Sequence, residues 1–135
     1  MSTLSDTISG FQHLGLPVRD IEESIAFYRR LGFSVFRRHE FDENGATTQV
    51  AFLDMKAFRL ELYQPAAGVA NDRSTGTIDH IALDVQDIDT AHKAVQEAGF
   101  EIVEGINELP LHAKGIRYFM ILGPDNERVE FNQIL

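Results

Sequence analysis

The chain carries two copies of one pattern, and that duplication constrains its fold more than any other feature. When GFQHLGLPVRDIEESIAFYRRLGFSVF is laid over TIDHIALDVQDIDTAHKAVQEAGFEIV, His13 falls on His80 and every residue falls on the one 67 positions later. In that ungapped register Leu16 meets Leu83, Val18 meets Val85, Asp20 meets Asp87, Ile21 meets Ile88, Gly32 meets Gly99 and Phe33 meets Phe100. Further along, RLELYQ (59–64) lies over RVEFNQ (128–133) after a slip of two residues, and Glu61 falls on Glu130. Two residues added in a loop explain the slip without disturbing a strand, because loops absorb insertions.

Each copy reads the same way locally. Residues 10–18 alternate, with Leu14, Leu16 and Val18 on one side and Phe11, His13, Gly15 and Pro17 on the other, which predicts a strand. Asp20 then caps a helix over 21–31, where Ile21, Ile25, Tyr28 and Leu31 recur at helical spacing and Gly32 stops it. Strands are expected at 33–38, 47–53 and 58–63, with Asp42-Glu43-Asn44-Gly45 as turn chemistry between the first two. The second copy predicts a strand at 78–85, a helix over 88–98 capped by Asp87, and strands at 101–104, 116–122 and 127–133. The fold class is therefore α+β, with two βαβββ modules paired into a curved mixed sheet around a cavity. We divide the chain into an N-terminal tail (1–9), module 1 (10–64), a linker (65–77) and module 2 (78–135). One four-stranded sheet with one helix leaves a face bare, so the modules should pair, within a chain or across a homodimer.

Composition narrows the possible functions. The formal charge of −9 with no basic cluster argues against nucleic acid as a partner. No run approaches the ~20 apolar residues of a membrane span, and MSTLSDTISG lacks the features of a secretory signal, so a cytoplasmic address is expected. The absence of cysteine removes disulfides, thiolate ligands and a thiol nucleophile.

Strand alternation then selects a candidate site. If Leu60 and Leu62 face the helix, Arg59, Glu61 and Tyr63 face away from it; if Val129 and Phe131 face the helix, Arg128, Glu130 and Asn132 face away. His13 and His80 likewise oppose the apolar set. Each module thus offers one imidazole and one carboxylate on its open face. Two such faces supply a mixed N/O set suited to one divalent cation, such as Ni, Co, Zn, Fe(II) or Mn, held by His13, Glu61, His80 and Glu130. A +2 ion also offsets the cost of burying two carboxylates.

The strand starts QHLGLPV and DHIALDV and the strand ends RLELYQP and RVEFNQ resemble the vicinal oxygen chelate superfamily over about residues 10–134. That superfamily includes glyoxalase I, methylmalonyl-CoA epimerase, extradiol dioxygenases and the fosfomycin and bleomycin resistance proteins. The resemblance places the metal ligands on His13, Glu61, His80 and Glu130. The full His/Glu/His/Glu set looks most like glyoxalase I, with Ni, Co or Zn ahead of Fe or Mn. It implies a lyase or isomerase that moves a proton at a carbon next to a chelated oxygen of a small oxygenated metabolite. A ligand glutamate, Glu130 with Glu61 as its counterpart, would carry that proton. Two departures bear on glutathione: Pro17 stands where glyoxalase I usually has a carboxylate-binding arginine, and Pro65 where it usually has an asparagine. Some epimerases carry a base glutamate where this chain has Gln49. The alternatives are an epimerase of the methylmalonyl-CoA type, an Fe(II) ring-cleavage dioxygenase and a metal-free binding or resistance protein.

Several further residues are candidates for substrate contact. Arg59 and Arg128 flank the glutamates and suit an anionic group, or else ion-pair with neighbouring acids. Tyr63 and Tyr118, with Met120, are expected either to line the cavity or to belong to the core. Residues 105–115 read as a loop that carries His112 and Lys114, either a lid or a plain connection.

Overall fold

The computed structural model describes residues 3–135, so Met1 and Ser2 of the expected tail lie outside the described residues. The chain falls into two compact units that divide between Val69 and Ala70.

The first unit begins with one helical turn, α1 (Leu4–Thr7). It continues as β1 (Leu14–Pro17), α2 (Ile21–Arg30), β2 (Ser34–Glu43), β3 (Ala46–Met55) and β4 (Phe58–Gln64). Its strands lie in the order β1-β4-β3-β2, with β1 parallel to β4 and the other pairs antiparallel. The second unit repeats this as β5 (His80–Asp84), α3 (Ile88–Glu97), β6 (Ile102–Leu109), β7 (Ile116–Leu122) and β8 (Arg128–Ile134). Its order is β5-β8-β7-β6, again with the first and last strands parallel. Two βαβββ modules of an α+β fold are what the duplicated sequence requires.

The duplication extends to individual hydrogen bonds. Asp20 accepts from the backbone N–H of Glu22 and Glu23 at 3.0 and 3.2 Å. Asp87 accepts from Asp89 and Thr90 at 3.0 and 3.1 Å. The first turn of a helix leaves its N–H groups without internal partners, and these carboxylates supply them. A second cap comes from the sheet. Gln64 at the end of β4 accepts from Ile21 N at 2.8 Å, and Gln133 near the end of β8 accepts from Ile88 N at 2.9 Å. These glutamines tie each helix start to the strand that carries the candidate glutamate. Both helices end at a glycine in the left-handed region, Gly32 at φ 107° and Gly99 at φ 79°, which a side chain would resist.

The helices cover one face of each sheet. In the first module Ala51, Leu53, Leu60 and Leu62 are fully buried with Ile21, Ile25 and Tyr28 of α2. In the second, Phe119, Ile121 and Val129 pack with Ile88 and Val95 of α3, and the Phe119 and Phe131 rings stack 4.8 Å apart. Leu60 and Leu62 flanking Glu61, and Val129 and Phe131 flanking Glu130, put each glutamate on the face its helix leaves open. His92 is half-buried edge-on to Phe119 at 5.0 Å, so it packs against the core of its own module.

Several boundaries differ from the sequence reading. The first strand starts at Leu14, so His13 precedes it instead of lying within it. Strand β2 runs on to Glu43 and β6 to Leu109, which shortens the expected 105–115 loop to 110–115. Both extensions are largely polar and exposed segments held by backbone pairing to a neighbour, which carries no alternation signal. Gly105 and a register shift between Glu104 and Asn107 mark a bulge that broke the pattern in β6. Part of the segment after β4 is fastened to the β7–β8 turn. Arg73 donates to the buried Asp125 at 2.8 Å, and Asn126 Nδ2 donates to Arg73 O at 2.9 Å. Among the described residues no helix is long and apolar enough to cross a membrane.

Candidate metal centre

Strand pairing builds each half-site. In the first module β1 runs parallel to β4, and Gly15 is the register partner of Glu61. A Cβ on Gly15 would lie 3.5 Å from Glu61 Oε1, an ordinary contact, so the Glu61 carboxylate rests over this position of β1. His13, two residues earlier, brings Nε2 to 3.8 Å from Glu61 Oε2. The imidazole stands edge-on to Phe52, the β3 neighbour of Glu61, at 5.5 Å. In the second module β5 runs parallel to β8, Ala82 is the partner of Glu130, and His80 Nε2 lies 3.4 Å from Glu130 Oε2. The two sites differ in depth: Glu61 keeps 25% of its side-chain exposure and Glu130 only 10%.

The far nitrogen of each ring is also held. His13 Nδ1 lies 2.9 Å from Gln12 Oε1, and His80 Nδ1 lies 2.8 Å from Asp79 Oδ2. Both partners are acceptors, so Nδ1–H donates and the neutral ring keeps its lone pair on Nε2, the nitrogen that faces the glutamate. A metal-binding imidazole needs this tautomer, and its other nitrogen commonly carries such a partner. Gln12 and Asp79 were missed in the sequence reading, though they occupy matching places in the repeat.

The spacing fits a cation. Two donors each about 2.1 Å from one ion lie about 3.0 Å apart at a right angle and about 3.4 Å apart at a tetrahedral one. Nε2 and the carboxylate oxygen stand at 3.4 and 3.8 Å, near that range and longer than a good hydrogen bond. The donor chemistry, imidazole with carboxylate, suits a borderline divalent ion. Each half-site brings two donors, and among the described residues no three His, Asp or Glu side chains gather into a ready cage.

The model of the glyoxalase/bleomycin resistance protein/dioxygenase superfamily matches residues 10–131. The chain belongs to that superfamily. It is 34% identical over 127 residues to an uncharacterized protein, YwbC, of Bacillus subtilis, covering 90% of this chain and 94% of that one. It is 29% identical over 119 residues to an ethylmalonyl-CoA/methylmalonyl-CoA epimerase of Cereibacter sphaeroides, covering 82% and 87% of the two chains. The fosfomycin resistance protein FosX of Listeria monocytogenes, solved with Mn(II) and sulfate, shares the fold. Its TM-score is 0.70 at 19% identity, over 96% of this chain and 95% of that one. The superfamily thus includes metal-dependent members, enzymes among them, alongside resistance proteins.

The remaining candidates separate by what they touch. Arg59 donates to both carboxylate oxygens of Asp54, at 2.6 and 2.9 Å, and its guanidinium lies 4.2 Å from the centre of the Phe36 ring. Those hydrogen bonds hold the Asp54 carboxyl below the usual range and raise Arg59. Arg59 is therefore engaged by its own module. Arg128 shows no acidic partner among the described residues; its Nη1 lies 3.9 Å from Met120 Sδ. Tyr118 donates to Glu104 Oε1 at 2.8 Å. That hydrogen bond, with burial and the negative charges of Glu104 and Glu130, pushes the phenol up, so Tyr118 stays a proton donor.

Tyr63 lines a cavity of about 240 Å³ with Glu61, Phe41, Glu43, Thr48, Val50 and Pro65. Thr48 donates to Glu43 at 2.8 Å and accepts from Ala66 N at 3.0 Å, so that pair is internally satisfied and the rest of the wall is largely apolar. Pro65 sits in this wall and Pro17 pairs with Tyr63, so neither departure from the glyoxalase I pattern has a cation in its place. His112 is exposed on the 110–115 loop at φ 63°. It lines a cavity of about 190 Å³ with Ala82, Leu83, Asp84, Asn132 and Ile134, and neither His80 nor Glu130 is among those lining residues.

Proposed function

We propose that this chain is a metal-dependent isomerase that removes and returns a proton at a carbon next to a chelated carbonyl, with an acyl thioester as the leading substrate class. One observation carries the reading: each module sets an imidazole Nε2 against a glutamate oxygen, at 3.8 and 3.4 Å, while the ring's Nδ1 lies against a side-chain oxygen that can accept from it. We take the four side chains His13, Glu61, His80 and Glu130 to serve one ion, supplied by one chain or across a homodimer. A divalent ion held there supplies Lewis acidity, which stabilises negative charge on the substrate oxygen.

The protein's part is the proton. Glu130 takes it from the carbon next to the carbonyl; the C–H electrons form a carbon–carbon double bond, and the carbonyl electrons move onto oxygen. Return of a proton from Glu130 to the same face restores the substrate, whereas a proton from the acid form of Glu61 to the other face inverts the centre. Exchange with water resets both carboxyls. Such positioned acid–base chemistry contributes about 10²–10⁴ in rate. The epimerase relative supports the thioester class, and the proline at both glutathione positions weighs against a glutathione adduct.

A second reading, glyoxalase I-type turnover of a hemithioacetal, is favoured by the four-ligand set itself. The deciding experiment incubates protein of known metal content in D₂O with a 2-methylmalonyl thioester and, separately, with the methylglyoxal–glutathione hemithioacetal. Metal-dependent deuterium uptake at C2 of the thioester is expected, with the hemithioacetal untouched. Hemithioacetal turnover alone would establish the second reading instead. Protein that takes up no divalent ion would be a binding protein, and oxygen consumption with catechols under Fe(II) would make it a dioxygenase.

A further inference from the structure

The two arginines that flank the glutamates occupy matching places in the repeat, yet their surroundings differ. Arg59 pairs across the β3–β4 ladder with Asp54, which takes both arms of its guanidinium. In the second module the β7 residue opposite Arg128 is Leu122, which has nothing to accept. Arg128 is half-buried, and among the described residues no carboxylate takes up the five donors of its guanidinium. Among the described residues its guanidinium makes one hydrogen-bond contact, Nη1 to Met120 Sδ at 3.9 Å, and it is weak. That contact also gives a direction. Met120 is the strand neighbour of Glu130, so the guanidinium leans from its own row toward the row of the candidate base. His80 is the register partner of Arg128 on the other side.

From this placement we infer that Arg128 is a specificity-determining residue that grips a carboxylate of the substrate, close to the reacting carbon. The inference rests on the isomerase reading of the same site and narrows its substrate to a thioester of a 1,3-dicarboxylic acid. Residues two apart on a strand are about 6.7 Å apart, and the guanidinium covers part of that span. A carboxylate one carbon away from the carbonyl at Glu130 and His80 therefore comes within its reach, whereas a distant phosphate of a carrier group does not. The planar fork matches a carboxylate through two parallel hydrogen bonds, which lysine cannot reproduce.

The test uses full-length, metal-loaded protein and malonate as the probe, with uncharged malonamide as its partner. Wild type should bind malonate at least tenfold more tightly than malonamide. Arg128→Gln should weaken malonate at least tenfold and raise KM for the 2-methylmalonyl thioester with a much smaller change in kcat. The isobutyryl thioester, which has a methyl group in place of the carboxylate, should exchange its C2 proton equally well in wild type and variant. Arg128→Lys should fall between them, and Arg59→Gln should leave malonate binding unchanged. Equal binding of malonate by wild type and Arg128→Gln at equal metal content overturns the inference, as does equal loss with both thioesters. If Arg128→Gln does not fold, the lysine variant and the malonate–malonamide pair in wild type decide alone. Proton exchange without any role for Arg128 would sink this inference and leave the isomerase reading standing. Arg128-dependent malonate binding without exchange would do the reverse.

Discussion

In the first module Arg59 is locked to Asp54 and the imidazole leans on a neutral amide, Gln12; in the second, Arg128 faces Leu122 and the imidazole leans on a carboxylate, Asp79. The helix caps show no such divergence: Asp20 and Asp87, and Gln64 and Gln133, make the same bonds within 0.1 Å. Positions that build the frame have kept one physical job in both copies, whereas positions on the open faces have taken different ones. The second module holds the more buried glutamate, the charged support for its histidine and the uncommitted arginine. The first holds the internally satisfied ion pair and the apolar cavity beside Glu61. Unequal faces on a duplicated frame suit the proposed isomerase, whose substrate is itself asymmetric.

The largest expected effect tests that inequality at the bases. Glu130→Gln keeps the shape and removes the proton acceptor, and should lower the C2 exchange rate by about 10²–10⁴. Glu61→Gln should slow inversion by a comparable factor yet spare exchange on the face served by Glu130. Deuterium uptake and loss of optical rotation, followed in one sample, separate the two. Equal damage to both signals in both variants would mean the glutamates share one role, and the comparison would lose its chemical content.

The supports behind the histidines come next. Partners of this kind are commonly worth about 10–100-fold in metal affinity. Asp79→Asn should fall within that range in a competition titration against a chelator, because it removes a charge that strengthens His80 as a ligand. Gln12→Ala should cost less, since an amide only orients the ring. A Gln12→Ala loss as large as that of Asp79→Asn would show that orientation alone matters. A graft is subtler: Leu122→Asp would give Arg128 the neighbour that Arg59 has in Asp54. It should raise KM for the carboxylated thioester several-fold and leave metal content as it was. An unchanged KM would mean that Arg128 was not free for substrate before the graft.

Much of this was legible before any coordinates, for physical reasons that particular residues make plain. Alternation around Leu60, Leu62, Val129 and Phe131 reveals which face is buried, and therefore where Glu61 and Glu130 point. The caps were equally plain, because Asp before an apolar helical stripe has a local cause. The full length of the edge strands was not, since His39 to Glu43 and Gly105 to Leu109 are strands only through backbone pairing to a neighbour. Nor did the sequence separate Arg59 from Arg128. Their fates depend on which β3 or β7 residue lies opposite, and register is a tertiary fact. Gln12 and Asp79 could have been found from the repeat by asking what stands beside each histidine.

The smallest expected effect concerns the Arg59–Asp54 pair, and it asks whether the first module uses its arginine only for its own fold. The Asp54 carboxyl lies below its unfolded value of 3.8, chiefly through the hydrogen bond from Arg59. A carboxyl lowered on folding adds stability that is fully present above the unfolded value and is lost as pH falls through the folded one. Asp54→Asn should therefore lower Tm slightly at neutral pH, and the difference from wild type should vanish on acidification below that range. Both partners remain a third exposed, so solvent and salt screen the pair, and 1 M salt should shrink the neutral-pH difference. Proton exchange at C2 should not change. Loss of exchange in Asp54→Asn, at intact Tm and metal content, would place Arg59 in the reaction and erase the contrast with Arg128.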